Sequence, residues 1–388
     1  MRPFDGIDFY ALDDLLGEEE RQIRDTVRAF VSERVLPIIE KHNRAGTFPL
    51  ELIPPMAEMG LLGANLKGYG CAGLNAVAYG LIMQELERGD SGLRSFVSVQ
   101  GSLVMYPIAT FGSEAQKERW LPALAGGKAI GCFGLTEADA GSDPSAMRTR
   151  AQRTSGGWKL SGSKMWITNG TLADVAVVWA RTDEGVRGFL VEKGQRGYTT
   201  RDIHGKFALR ASVTSELVFE DCSLPDEALL PGAEGLRSAL VCLNQARYGI
   251  AWGAVGSAMA VFDEARRYAS TRIMFGKPIG GFQLVQEKLV TMLTEITKAQ
   301  LVAWRLGKLK EAGKSTPHQV SMAKRNNVAV ALDIARLGRD LLGASGTADE
   351  YQAGRHLCNL EAVKTYEGTH DIHTLILGEW ITGLSAFR

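Results

Sequence analysis

Twice along the 388 residues the hydrophobic period changes, and no other feature restricts the fold as tightly. Over residues 17–125 apolar positions recur at helical spacing, in segments 18–33, 51–59 and 76–88, and Ser113 is placed to cap a further helix over 114–125. Over 131–230 the spacing drops to two, in segments 158–161, 173–179, 188–192 and 216–219, with glycine-containing turns between them. From Leu236 helical spacing returns, over 240–270, 283–312 and 317–342, with a last pair of helices around His356 and Leu375. Side chains that repeat like a strand cannot share one face of a helix, so the chain reads as helices, then sheet, then helices. The expected class is α+β, with a helical domain at 1–130, a β domain at 131–232 and a second helical domain at 233–388. The Ala-rich run from Gly249 to Gly256 predicts helices in close contact.

Composition excludes more than it identifies. A hydrophobic content of 45% suffices for real cores, and 44 basic residues balance 44 acidic ones. That neutrality argues against a chain-wide footprint for nucleic acid or for stable membrane association, so an anionic ligand must be met locally. The five cysteines (Cys71, Cys132, Cys222, Cys242 and Cys358) are scattered and odd in number, as expected of a reducing compartment without a disulfide framework. The first residues carry no apolar signal core and no transit pattern, which predicts a bacterial cytoplasmic protein, or a mitochondrial matrix protein if the chain is a processed eukaryotic one.

Tyr366-Glu367-Gly368-Thr369-His370-Asp371-Ile372-His373 places one carboxylate at a break in an otherwise helical region. Glu367 with His370 and His373 has the spacing of metal ligands, but a helical di-iron site needs a second Glu-x-x-His, and none exists. No metal is expected; Glu367 is either a helix terminator or a catalytic base. Gly68-Tyr69-Gly70-Cys71-Ala72-Gly73 matches a dinucleotide fingerprint letter by letter, yet it follows helical sequence where the fingerprint needs a strand, so it reads as a loop. Three other segments carry groups suited to a polar aromatic ligand. Phe133 to Asp143 offers small and hydroxyl residues, Lys164 to Gly170 an aromatic ring and a hydroxyl at a strand end, and Arg272 to Gln283 a guanidinium suited to a diphosphate.

Taken together these segments resemble the acyl-CoA dehydrogenase family. The resemblance rests on Leu135-Thr136-Glu137 with Gly141-Ser142-Asp143, then Lys164, Trp166, Ile167 and Thr168, then Arg272, Phe275, Gly276 and Gln283, then Tyr366-Glu367-Gly368-Thr369. It implies a flavoenzyme with a barrel-like central domain and a C-terminal four-helix bundle, assembled as a homotetramer. It also implies electron transfer from FAD to electron-transferring flavoprotein. By position, Phe133, Leu135, Thr136, Gly141, Ser142, Trp166, Ile167 and Thr168 would contact FAD. Arg272 and Gln283 would reach it across a subunit interface, Phe275 and Asp340 would also bind it, and Thr369 and Phe387 would complete that site. Gly343-Ala344-Ser345-Gly346 stands where many members carry Gly-Gly-Asn-Gly, so contacts from Gly343 and Ala344 would run through backbone atoms. Glu367 would be the base that takes the thioester α-proton, its pKa raised by burial, with its backbone N–H donating to the enolate oxygen. Ser142, Asn244, Arg247 and Gly368 would contact the acyl-CoA.

Arg94 narrows the substrate. It lies in the first turns of an apolar helix capped by Asp90 or Ser91, where a charge needs a structural partner or an acidic ligand. Glu87 could be that partner. Arg94-Ser95, however, resembles the glutaryl-CoA dehydrogenase subfamily, as do residues 324–336 and 359–373. The resemblance implies that Arg94 and Ser95 bind the distal carboxylate of glutaryl-CoA. It also implies that Glu87 and Tyr366 support a second step, decarboxylation to crotonyl-CoA. A short-chain dehydrogenase or oxidase, with Arg94 merely paired to Glu87, is the alternative.

Overall fold

The computed structural model describes residue 4 and residues 6–387, so residues 1–3 and 5 of the chain start lie outside the described residues. Seven helices come first: α1 (Glu18–Phe30), α2 (Leu36–Ala45), α3 (Ile53–Glu58), α4 (Ala76–Gly89), α5 (Ser91–Ser98), α6 (Tyr106–Phe111) and α7 (Glu114–Ala125). The sheet follows with β1 (Gly131–Gly134), β2 (Arg150–Thr154), β3 (Gly157–Thr168), β4 (Val175–Thr182), β5 (Gly185–Glu192), β6 (Tyr198–Asp202) and β7 (Thr214–Leu224). Then come α8 (Gly235–Thr271), a short hairpin of β8 (Ile273–Met274) and β9 (Lys277–Pro278), α9 (Gln283–Glu311), α10 (Pro317–Leu341), α11 (Gln352–Thr365) and α12 (His370–Thr382).

Local chemistry sets the boundaries. Ser113 caps α7 as expected: its hydroxyl accepts from Gln116 N–H at 3.3 Å while the Gln116 side chain accepts from Ser113 N–H at 2.9 Å. Thr316 and Gln319 repeat this reciprocal cap on α10, with Pro317 at the first helical position where its missing N–H costs nothing. The alternating segments become β3, β4, β5 and β7, whereas β1, β2 and β6 carry no period-two signal. Gly131–Gly134 is buried throughout, and in Arg150–Thr154 only Ala151 is buried, so neither displays an alternating face. The strand order is β1-β4-β2-β3-β7-β6 with β5 on β4; β1 and β2 run parallel to β4 and the other pairs are antiparallel.

The helical parts meet along α4 and α8. Every residue of α4 from Val77 to Gly89 is buried, so it is a core helix rather than an amphipathic surface one. Its backbone nearly touches α8: a Cβ on Gly256 would sit 1.8 Å from Gln84 O, and one on Gly80 would sit 2.3 Å from the Trp252 ring. Tyr248 adds a hydrogen bond to Ala76 O at 2.6 Å, and Asn327 of α10 donates to Ala251 O of α8 and Ala299 O of α9 at 2.8 and 3.2 Å. The glycine-rich segment at 68–73 is a loop before α4, its glycines all at positive φ. Among the described residues no helix is long and apolar enough to cross a membrane.

Replacing Gly256 by Ala must push the two helices apart, because the clash is with backbone rather than a movable side chain. The expected loss is at least ~1–3 kcal/mol of stability, read as a lower denaturant midpoint.

Candidate active site

The break before α12 is a tight turn held from several sides. Glu367 has φ 53° and Gly368 φ 95°, and Thr369 then caps α12 by accepting from Ile372 N–H at 3.1 Å. A non-glycine residue in the left-handed region costs roughly 1–3 kcal/mol unless its surroundings compensate. Here Lys324 of α10 donates to Tyr366 O at 2.9 Å and Gly368 O at 2.7 Å, while Arg247 of α8 donates to Glu367 O at 2.7 Å. Gly368 is required by space as well, since a Cβ would lie 2.9 Å from His373 Nε2. Because α12 begins only at His370, Glu367 does not share a helical face with His370 and His373.

Three cations surround the Glu367 carboxylate. Its Oε2 is shielded from solvent without a hydrogen-bond partner. Burial raises its pKa above the ordinary carboxylate value, against the pull of Arg94, Lys324 and Arg247. Burial pushes Lys324, only 1% exposed, down to about 7. The same cause pushes the buried His373 down to about 2, so that imidazole is neutral at working pH.

Arg94, 0% exposed, forms the adjoining wall. Asp90 caps α5 by accepting from Gly92 N–H at 2.7 Å, and also accepts from Arg355 at 2.6 Å and Asn359 at 2.9 Å, which ties α5 to α11. From that anchored turn Arg94 Nε donates to Glu87 Oε2 at 2.6 Å and Nη2 donates to the Tyr366 hydroxyl, while Nη1 is buried with no partner. Ser91 donates to the other Glu87 oxygen at 2.9 Å, and Ser95 Oγ lies 3.3 Å from the Tyr366 hydroxyl. The partner suggested by sequence, Glu87, is therefore present, yet it satisfies only one edge of the guanidinium. Burial raises the Tyr366 pKa, so the phenol accepts from Arg94 and keeps its own proton to donate. Asn244, three residues before Arg247 on α8, also has a buried unpartnered atom, Oδ1.

The sheet presents a different surface. A register shift between Lys164 and Ile167 bulges β3 out of line, and Trp166, at φ 64°, is turned outward with 60% of its surface exposed. Lys164 holds the bulge from behind, donating to Leu135 O at 3.1 Å and Glu137 Oε1 at 2.8 Å. Glu137 also accepts from Arg148 N–H at 2.6 Å and Thr149 N–H at 3.0 Å. Burial disfavours the Glu137 anion, but these donors win and hold its pKa down to about 2. Met165 N–H donates to Thr136 O at 2.9 Å, which places Thr136 beside the Trp166 bulge. Phe133 and Ile167 are buried beneath, Leu135 likewise, while Thr168 is half-buried and Gly141 and Ser142 are exposed.

The remaining residues singled out by sequence lie on exposed surface of the single chain. Phe275 is 91% exposed at the β8–β9 hairpin, and Arg272, Gln283, Gly343, Ala344 and Phe387 are exposed as well. Asp340 is engaged already, paired with Lys288 and with Arg339 at 3.7 Å. The turn thus gathers Glu87, Arg94, Ser95, Arg247, Tyr366, Glu367 and Gly368 directly and leaves the hairpin group apart from them. Sequence reasoning gave Lys324 no role. Its signal was available: it occupies a buried stripe with Val320, Ala323, Asn327 and Val328, the kind of placement that singled out Arg94.

The family models for the acyl-CoA dehydrogenase N-terminal, middle and C-terminal domains match residues 17–128, 132–222 and 233–382. A short-chain specific acyl-CoA dehydrogenase, mitochondrial, of Rattus norvegicus is 36% identical over 370 residues, 93% of this chain and 90% of that protein. A crystal structure of glutaryl-CoA dehydrogenase from Mycobacterium smegmatis is 56% identical with TM-score 0.97, each chain covered in full at 100%. A second structure, of a glutaryl-CoA dehydrogenase from that organism in complex with FADH2, is 53% identical with TM-score 0.98, covering 98% of this chain and 99% of the other.

Removing the ammonium behind the Trp166 bulge tests its part in the sheet. Lys164→Met leaves Glu137 buried with only backbone donors, and the expected loss is about 3–5 kcal/mol in chemical denaturation.

Proposed function

Since the chain belongs to the acyl-CoA dehydrogenase family, we propose that it oxidises glutaryl-CoA between its α and β carbons and then releases carbon dioxide to give crotonyl-CoA. The observation that carries the substrate choice is Arg94 Nη1, a buried guanidinium N–H with no partner, on a side chain that is held by the Tyr366 hydroxyl and lies near enough to Glu367 for its charge to act on that carboxylate. An unsatisfied buried donor is costly, and a ligand carboxylate answers it. The likeness to glutaryl-CoA dehydrogenases at 53–56% identity supports this reading over the more distant short-chain relative. The three domains are taken to meet near residues 130/131 and 232/233.

FAD fits the residues present. Trp166 offers an exposed ring on a rigid bulge, Thr136 and Thr168 offer hydroxyls beside it, and Gly141 has no atom within 4 Å of where a Cβ would stand. When bound, FAD supplies the acceptor for the hydride that leaves the substrate β-carbon. Arg272, Phe275, Gln283, Asp340, Gly343, Ala344, Thr369 and Phe387 are assigned to its far end in a homotetramer, where the exposed hairpin of one subunit covers a neighbour; Asp340 would contribute through its ion pair or its backbone. Reoxidation is assigned to electron-transferring flavoprotein.

Glu367 takes the α-proton. Its carboxylate is unpartnered and its pKa lies above the ordinary value, so the base is stronger than a solvated glutamate. Asn244, Arg247, Gly368 and Ser142 line the approach of the thioester and its CoA. Arg94 and Ser95 grip the distal carboxylate, which fixes which carbons face Glu367. After desaturation that carboxylate is vinylogous to a β-keto acid, and the C–C bond breaks with its electron pair passing into a dienolate. Glu87 competes for Arg94 as carbon dioxide departs, Tyr366 keeps the guanidinium in place, and protonated Glu367 returns its proton to the dienolate.

Anaerobic titration with glutaryl-CoA is expected to bleach the flavin absorbance, and analysis of the products to find crotonyl-CoA and carbon dioxide; accumulation of glutaconyl-CoA would remove the second step. Arg94→Gln is expected to lower kcat/KM for glutaryl-CoA by roughly 30-fold or more while butyryl-CoA turnover holds, and equal losses on both would make Arg94 structural, as in a short-chain enzyme. Activity rises with pH as Glu367 ionises. Because burial raises its pKa, the acid limb of kcat/KM is expected above the ordinary carboxylate range, and Glu367→Gln should abolish turnover.

A further inference from the structure

Lys324 makes no contact that binding alone demands, yet it is a buried ammonium aimed at the backbone of the turn. Its Nζ holds Tyr366 O and Gly368 O, the carbonyls on either side of Glu367, while Arg247 holds the carbonyl between them. In a trans peptide the C=O and N–H point in opposite directions. Fixing Tyr366 O on the α10 side therefore sends Glu367 N–H to the other side of the turn, and among the described residues that N–H enters no hydrogen bond. Without the ammonium, two buried carbonyls would lose a partner and Glu367 would have less reason to keep φ 53°.

We propose that Lys324 is the positioning residue of the reaction: it clamps the peptides flanking Glu367 so that Glu367 N–H is held toward the substrate thioester oxygen, with its ammonium standing near the Glu367 carboxylate. This rests on the reading of Glu367 as the base. The step it serves moves one proton from the substrate α-carbon to Glu367, with the C–H electron pair passing toward the thioester oxygen, where the fixed N–H stabilises it. Lys324 gives up no proton.

The charge effect has a definite sign because the surroundings are known. Lys324 faces Glu367 and Tyr366 in the turn, His370 and His373 on α12, Arg247 on α8, and Arg94 and Glu87 on α5 and α4. Two of the three cations at Glu367 remain when Lys324 is neutralised, so Glu367 titrates at higher pH without losing its role.

The test uses FAD-loaded Lys324→Met and Lys324→Gln, with flavin content and thermal midpoint recorded beside kinetics on glutaryl-CoA. The expected result is a fall in kcat of roughly 10²-fold with KM within about threefold of wild type. The acid limb of kcat/KM should move to higher pH. A merely structural lysine would lower flavin content and midpoint and leave the limb of the surviving enzyme where it was. Should Lys324→Met fail to fold, Lys324→Gln decides: it can donate to one carbonyl without a charge, so a displaced limb supports the proposal and an unmoved limb overturns it. Retained turnover in Glu367→Gln would instead refute the base reading itself, whatever the lysine variants do.

Discussion

The close approach of α8 to α4 governs the rest of the molecule. Gly256 lets the α8 backbone meet Gln84 O of α4, and Gly253 leaves room for a side chain: a Cβ there would lie 2.0 Å from Glu87 Oε2 and 3.2 Å from Arg94 Nε. The same contact brings Arg247, farther toward the start of α8, under the turn that carries Glu367. A side chain at Gly253 would press directly on Glu87 and Arg94, and one at Gly256 would push α8, and Arg247 with it, away from α4. The site is a consequence of helix packing before it is a matter of loop chemistry.

Within that frame the electrostatics are unbalanced by design of the fold. Arg94, Arg247 and Lys324 face the carboxylates of Glu87 and Glu367, three cations against two anions. Burial makes each isolated charge costly, and it pushes Lys324 toward neutrality and Glu367 toward protonation at the same time. An anionic ligand would relieve the excess on the cation side, and Oε2 of Glu367 has no hydrogen-bond partner, as the proposed base requires. The β domain contributes rigidity of another kind. One buried ion pair, Lys164 with Glu137, supports a bulge that turns an aromatic ring out of the sheet where alternation alone would not have put it.

The helices that were legible in sequence are those with a strong cap or a long apolar stripe, such as α7 with Ser113 and α10 with its stripe from Val320 to Leu341. α8 begins at Gly235, five residues before its stripe becomes clear, and β1, β2 and β6 escaped notice because burial on both faces or on neither erases the period of two. Arg94 stood out as a charge in an apolar helix; Lys324 satisfies the same criterion in α10, yet its partners are backbone carbonyls of a distant turn, which no side-chain pattern announces. Asp90 likewise looked like a helix cap and is also the anchor for Arg355 and Asn359.

By itself the sequence determined the order of helical and sheet segments, the family resemblance and the helix break that carries Glu367, because periodicity, caps and short motifs are local and survive being read along a line. Only the tertiary structure decided that Glu87 occupies one edge of Arg94 and leaves Nη1 open, that Trp166 faces outward, and that Lys324 reaches both carbonyls beside Glu367. Those facts depend on which side chain meets which across separations of tens to hundreds of residues. Such meetings are set by how closely whole helices can pack, a property of surfaces rather than of spacing.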